Sequence, residues 1–292
     1  MDVVIAYVDG NDPLWQQDYQ TYTDKPLLTK RFRDWGTLKY LMRGIQYRMP
    51  FVDNVFLVVA RESQVPEWID RENVHVVLHK DFIPAEHLPT FNSTTISLFL
   101  HRIPGLGEQF LYFNDDIFPV GKCTREDYFR DGKVVIGISA HLFVSGMYKR
   151  HVKRSNALAR KALGKRPVPF FIRPQHSCIP MLKSECTRVF ETLETEIMQS
   201  LSRVRSNDNL NMSLYLSYMY YQGKVIPRRI PCRHISMAAV TPSGLAKAIM
   251  SPSKSLVCIN DVSLSEERYN AFYNAMHGAF CAAFPEKSKF ER

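Results

Sequence analysis

The sequence predicts an α/β fold: a mostly parallel sheet, with a mainly helical part inserted in the second half before the last strand. Three observations carry this. Short β-branched runs alternate with amphipathic segments through the first half of the chain. After residue 138 the pattern turns mainly helical. Three of the strands run directly into acidic or amide residues, at the ends where an open α/β sheet binds its ligands. With 292 residues and 45% hydrophobic content the chain can bury a full core, and it reads as one domain over residues 1–292 whose helical part covers 140–250.

In chain order, residues 3–8, 55–60, 74–78 and 110–113 read as strands. Between the first two, Leu38, Leu41, Met42, Ile45 and Met49 recur at helical spacing and form one apolar stripe. A second helix starts at Ser93 or Thr94, either of which can cap it, and Pro104-Gly105 ends the segment. Helices are predicted at 151–163, 184–202, 210–222 and 265–284. Ser263 and Glu266 stand at capping-box spacing before the last of these, and Pro285 stops it. A strand at 256–259 is expected to rejoin the sheet.

Six scattered cysteines without a CxxC pair indicate neither a zinc site nor a disulfide scaffold, so reduced thiols in a cytoplasm are expected. No apolar run approaches the roughly 18 residues of a membrane span, and the N-terminal apolar run lacks a basic flank and a cleavage site. The expected protein is cytoplasmic, soluble or peripheral at the inner face of a membrane. The net charge of +9 favours anionic partners without choosing among phosphorylated sugars, acidic polymers, headgroups and nucleic acid. Residues 148–166 carry basic side chains and no acidic one; they read equally as a solvated helix or as a patch for headgroups or an acidic acceptor.

The acidic strand ends are Asp9-Gly10-Asn11-Asp12, Asn114-Asp115-Asp116 and Asn260-Asp261. Adjacent carboxylates are costly unless a cation neutralises them, and oxygen ligands suit Mg²⁺ or Mn²⁺ bridging to a diphosphate. Asn114-Asp115-Asp116 is therefore the best metal candidate, although such a tripeptide also serves as a plain strand-to-turn cap. Lys30-Arg31-Phe32-Arg33-Asp34 precedes a helix that carries Arg43 and offers forked donors for phosphate, or is a solvated basic turn. Asn92-Ser93 suits sugar hydroxyls or only a helix entry. His176, in a Pro-bounded loop, can act as general base, and Arg205 can stabilise charge on a transferring phosphoryl group.

These segments, in this order, resemble the four conserved regions of the Stealth family of capsular polysaccharide phosphotransferases. That family includes the catalytic subunits of the lysosomal-enzyme N-acetylglucosamine-1-phosphotransferase. Val8-Asp9-Gly10-Asn11-Asp12-Pro13 resembles region one. Region two is the most specific, from Arg31-Phe32-Arg33-Asp34 through Leu88-Pro89-Thr90-Phe91-Asn92-Ser93 and His101-Arg102-Ile103-Pro104-Gly105-Leu106 to Asp116. Residues 176–208 look like region three and Cys258-Ile259-Asn260-Asp261 like region four. Tyr7 stands where the family usually has Trp, and Cys178 and Val262 also depart from its pattern.

The resemblance implies a Rossmann-like, glycosyltransferase-A-like catalytic domain. The activity it implies is transfer of a hexose 1-phosphate from a nucleoside diphosphate sugar, such as UDP-N-acetylglucosamine, to a hydroxyl of a glycan or lipid-linked glycan. A phosphodiester forms and nucleoside monophosphate leaves. On this reading Asp115 and Asp116 hold Mg²⁺ or Mn²⁺, His176 takes the acceptor proton, with Asp116 as the other candidate base, and Arg205 meets the phosphate charge. Tyr7, Asp9, Gly10, Asn11, Asp12, Arg31, Asp34, Arg43, Asn92, Ser93, Asn114, Asn260 and Asp261 line or support the donor site. Two alternatives stay open: a metal-dependent glycosyltransferase releasing nucleoside diphosphate, and a non-enzymatic polyanion-binding module. The second gives no reason for three acidic strand ends, so nucleic acid is not expected as a partner.

Overall fold

The computed structural model describes residues 1–23 and 32–292, so Arg31 lies outside the described residues. Five strands form the main sheet in the order β10-β4-β1-β2-β3. They are β1 (Asp2–Ala6), β2 (Val55–Val59), β3 (His75–Leu78), β4 (Gln109–Asn114) and β10 (Ile179–Leu182). The first four are parallel, with Ile5 in register between Leu57 and Phe113, and β10 closes one edge antiparallel to β4. Val3, Val4, Ile5, Leu57, Val58 and Val59 are fully buried, as in a sheet covered on both faces.

A second sheet has the order β12-β13-β5, with β5 (Ile117–Pro119), β12 (Cys232–Ser236) and β13 (Leu256–Asn260). The predicted last strand thus exists but does not rejoin the main sheet: it runs parallel to β12 and antiparallel to β5. Only Asp115 and Asp116 separate β4 from β5. The acidic turn is where the chain passes from one sheet to the other.

The helices are α1 (Pro13–Tyr22), α2 (Leu38–Arg48), α3 (Ser93–Phe99), α4 (Gly146–Ala162), α5 (Lys183–Thr192), α6 (Glu194–Ser200), α7 (Ser213–Tyr221), α8 (Pro242–Met250) and α9 (Glu266–Ala283). The apolar stripe of α2 is buried as its spacing predicts, and the helix packs so closely on β5 that a Cβ on Gly44 would stand 2.5 Å from the Pro119 carbonyl oxygen. Two caps differ from expectation. Asn92, not Ser93 or Thr94, caps α3, its Oδ1 accepting from Thr94 N at 3.1 Å. Ser265, not Ser263, caps α9, its Oγ accepting from Arg268 N at 3.4 Å. The helix predicted over 184–202 is broken at Leu193 into α5 and α6. Among the described residues no helix is long and apolar enough to cross a membrane.

The second half holds more strand than predicted. β8 (Ile138–His141) and β9 (Phe171–Pro174) pair antiparallel on either side of α4 in the chain, and β11 (Val225–Ile226) joins β7 (Lys133–Val135) and β6 (Phe129–Arg130) in a small sheet. These strands are two to four residues long, too short for alternation to register. One apolar core nevertheless runs from Val3 to Phe290. A smaller aromatic cluster of Trp15, Tyr19, Phe32 and Phe91 seats α1 against the segments that lead into α2 and α3.

Arg43 was expected near the donor phosphates, but it faces the C-terminus. Its Nε and one terminal nitrogen donate to both carboxylate oxygens of Glu291, at 2.8 and 2.7 Å, and the other nitrogen donates to the Phe284 carbonyl at 2.9 Å. This fork is buried, with the Arg43 and Glu291 side chains 11% and 5% exposed. Burial opposes the charge on Glu291, but the Arg43 and Ser288 hydrogen bonds outweigh it and lower its pKa. Arg43→Ala strands a buried carboxylate and should cost about 3 kcal/mol in denaturant unfolding. Arg43→Lys, a point charge without the fork, should recover only part of that; a wild-type midpoint in both variants would remove Arg43 as a structural clamp.

Candidate active site

A cavity of about 610 Å³ opens at the carboxyl ends of β1 and β4, beside the end of β13. Its volume suits a small-molecule ligand. Of the residues expected there, Tyr7, Asp34, Ser93, Asn114, Asp115, Asp116, His176, Arg205, Asn260 and Asp261 line it. Residues from both halves of the chain thus meet at one place.

The floor is acidic. Asp115 is pushed up to about 7, first by burial and then by the charges of Asp116 and Asp34. Asp34 is also raised, mainly by burial; its Oδ2 accepts from the Tyr7 hydroxyl at 3.1 Å and its Oδ1 from Gly36 N at 2.9 Å. Burial and the Asp34 charge push the Tyr7 hydroxyl far above the usual tyrosine range, so Tyr7 stays a neutral donor. Asp116 Oδ2 lies 3.6 Å from His176 Nε2 and 3.5 Å from the Cys258 thiol, while its Oδ1 is buried without a hydrogen-bond partner among the described residues. The Asp116 carbonyl accepts from Ile259 N at 2.8 Å, which ties the turn to β13.

An orphaned buried carboxylate oxygen beside a second carboxylate whose ionisation is opposed is the donor set a divalent cation satisfies. Asp115 and Asp116 therefore fit a hard cation.

His176 sits between β9 and β10 on a loop fixed by Gln175, whose side-chain amide donates to the Ile230 carbonyl at 2.8 Å and accepts from Ile230 N at 3.0 Å. Arg205 donates to the Ser93 hydroxyl at the start of α3. Its loop is held on both sides. Phe91 N donates to the Arg203 carbonyl at 2.8 Å, and the Asn92 amide donates to the Ser202 carbonyl and to Asn209 Oδ1, both at 3.0 Å. From α4, His151 bonds the Ser206 carbonyl at 2.6 Å and Arg154 pairs with Asp208 at 3.3 Å.

Several expected donor-site residues do not line the cavity. β1 ends at Ala6, two residues earlier than predicted, so Tyr7 and Val8 occupy the wall and the acidic run is carried past it. Asp12 caps α1, accepting from Leu14 N at 3.0 Å and from Ser63 Oγ at 2.6 Å. Asp9 accepts from Asn11 N at 2.8 Å, and Asn11 is exposed. Gly10 lets two chain segments touch: a Cβ there would stand 2.1 Å from the Phe32 carbonyl oxygen. Asn92 is a buried tether, and Arg43 is the C-terminal clamp described above.

The structure adds groups that were passed over. Arg33 reaches Asp261 Oδ1 at 3.4 Å and lies over the rings of Trp35 and Tyr269, and Trp35 Nε1 donates to Asp261 Oδ2 at 3.1 Å. Arg33, Trp35, Tyr112, Tyr148 and His151 all line the cavity. Arg33 stood within the basic segment noted in the sequence; His151 and Tyr148 carried no signal there.

Carboxylates, a histidine and an arginine converge at the carboxyl end of a parallel sheet, which defines an α/β protein with a candidate ligand site where such sheets bind their ligands. Residues 31–136 match the family described as Stealth protein CR2, conserved region 2. The chain is 32% identical to the capsular polysaccharide phosphotransferase cps1A of Actinobacillus pleuropneumoniae, over 81% of this chain and 70% of that protein. It is 30% identical to cps12A of the same organism, over 89% and 76%. The chain belongs to the Stealth family. A crystal structure of the galactosyltransferase LgtC with donor and acceptor sugar analogues aligns over 99% of this chain and 98% of that one, with a TM-score of 0.48 and 10% identity, a likeness too remote to transfer residues.

If Asn92 positions the Arg205 loop, Asn92→Ala should cost about 2 kcal/mol through the lost cap and tethers. Amides of residues 202–209 should then exchange with solvent faster than those of β1. Unchanged protection in that loop would leave Asn92 as a helix cap alone.

Proposed function

We propose that this protein transfers a hexose 1-phosphate, such as N-acetylhexosamine 1-phosphate, from a UDP-sugar to a glycan hydroxyl in capsular or exopolysaccharide synthesis. The reading rests on family membership, and within the molecule on one observation: Asp115, Asp116, His176 and Arg205 share a single cavity. Asp115 and Asp116 would hold Mg²⁺ or Mn²⁺, which supplies positive charge against the donor diphosphate. His176, beside the Asp116 carboxylate, takes the proton from the acceptor hydroxyl, and that carboxylate stabilises the imidazolium formed. The acceptor oxygen bonds to the sugar-side phosphorus as the bond from that phosphorus to the bridging oxygen breaks. The electron pair leaves on UMP. Arg205, held by Ser93, faces the charge on the transferring group. Tyr7, Asp34, Asn114, Asn260 and Asp261 border the donor. Reading His176 as the base is favoured over Asp116 by their 3.6 Å approach, which makes the carboxylate its partner.

With a UDP-sugar, a glycan acceptor and Mg²⁺, the expected products are UMP and an acceptor heavier by a sugar phosphate, with turnover abolished by chelator. His176→Ala should be slower by about a hundredfold or more. Release of UDP with an acceptor heavier by the sugar alone identifies a glycosyltransferase and overturns the reading.

A membrane-borne glycan as the acceptor is supported by the character of one face of the molecule. No acidic residue occurs between Asp131 and Glu185, and Arg154 is the one basic side chain of α4 in an ion pair among the described residues. β8 ends at His141 opposite Phe171, so Leu142 leaves the ladder beside Phe170. Leu142, Phe143 and Phe170 are 58%, 83% and 40% exposed, and the adjoining Met147 and Tyr148 line the cavity. An apolar rim with basic side chains behind it suits an anionic bilayer. The protein should sediment with anionic vesicles, more weakly with neutral ones, and about tenfold or more weakly after Leu142→Ser with Phe143→Ser. Equal binding by that variant would remove this face from the proposal.

A further inference from the structure

We infer that His176, His234 and Cys258 form a three-ligand site for a borderline-soft divalent ion such as Zn²⁺, distinct in donor type from the carboxylate pair it adjoins, with the fourth position left to water. Ligand atoms of His176, His234 and Cys258 all lie within 4.8 Å of one another. Asp116 Oδ2 lies beside two of these ligands, 3.6 Å from His176 Nε2 and 3.5 Å from Cys258 Sγ.

The site is built on strands. His234 and Cys258 are register partners in the parallel β12–β13 ladder, and Asp116 is fixed to the same sheet through Ile259 N at 2.8 Å. His176 alone approaches from a loop, its ring 5.5 Å from that of His234. Two imidazoles and a thiol are a poor set for Mg²⁺, which prefers oxygen donors, and a good one for Zn²⁺. The thiol gives up its proton on coordination.

The consequence is inhibitory and rests on the reading of His176 as base. An ion bound through that imidazole denies it to the acceptor proton. A rise in free Zn²⁺ would silence the enzyme even with Mg²⁺ in excess.

The test is a titration of metal-free protein with Co²⁺. One equivalent should give the intense visible bands of a four-coordinate ion with a thiolate-to-cobalt charge-transfer band, both lost on adding Zn²⁺. Cys258→Ser should lose the charge-transfer band. His234→Ala, which alters an exposed residue, should bind more than about tenfold more weakly, since loss of a mere outer-shell partner already costs that much. A pale six-coordinate spectrum, or one unmoved by both substitutions, overturns the site. In the assay, Zn²⁺ should inhibit the wild type and spare His234→Ala, whose Mg²⁺-dependent turnover is unchanged; equal inhibition of both overturns the inhibitory role. The spectra are read without turnover, so bands in a protein inactive on nucleotide sugars would keep the site and discard the proposed reaction.

Discussion

Two carboxylates held side by side in the turn between two sheets are the constraint on which the rest of this molecule depends. Asp115 and Asp116 cannot separate without breaking a ladder, because β4 is paired with β1 and β10 while β5 is paired with β13. The hydrogen bond from Ile259 N to the Asp116 carbonyl removes the remaining slack. Burial and mutual repulsion then work against full ionisation, which places Asp115 near 7. A fold that keeps such a pair at a junction of sheets carries an electrostatic cost that a bound cation would offset.

Everything else in the cavity is brought to that turn by tethers of a different kind. Arg205 comes from a loop that lies on no strand, so its place is set by hydrogen bonds to Asn92 and Ser93 on one side and to α4 on the other. Asp261 comes from the end of β13, and Arg33 and Trp35 close over it. Carboxylates therefore stand past the ends of both β4 and β13, and Arg33 from the first half of the chain and Arg205 from the second share their cavity. Loss of a tether should be felt at the site before it is felt in the core, because the core cluster from Val3 to Phe290 contains none of these bonds.

Much of this was legible in the amino-acid sequence, and the failures have physical causes. β1, β2, β4 and β13 are continuous apolar runs, and α2 has an unbroken stripe, so burial wrote them plainly. Asp115 and Asp116 were singled out by their place at a strand end, and His176 and Arg205 by residue type and by order resembling a family pattern; all four line one cavity. Asp12 was misassigned although Asp12-Pro13 is itself the signal of an N-cap followed by proline at N1. Arg43 points to a partner 248 residues away, and no local pattern announces such a pair. The His234–Cys258 juxtaposition is likewise a matter of strand register, which the spacing of cysteines along one segment does not reveal.

The place of His176, the proposed base, beside the carboxylates bears on which bond such a site would break. In a glycosyl transfer the acceptor approaches the anomeric carbon, with the phosphorus beyond the glycosidic oxygen, so a base can sit well away from groups that bind the diphosphate. Here His176 Nε2 is 3.6 Å from Asp116, which with Asp115 makes up the carboxylate pair suited to a phosphate-bridging cation. If His176 is the base, as proposed, an acceptor hydroxyl hydrogen-bonded to it would stand next to phosphate oxygens held at that pair rather than at the far face of a sugar ring. The guanidinium of Arg205, borne on the other side of the same cavity, adds charge where a phosphoryl group in transit would need it. On the proposed reading, a histidine, two carboxylates and a guanidinium sharing one cavity would favour attack at phosphorus, with the sugar left attached to the group that moves.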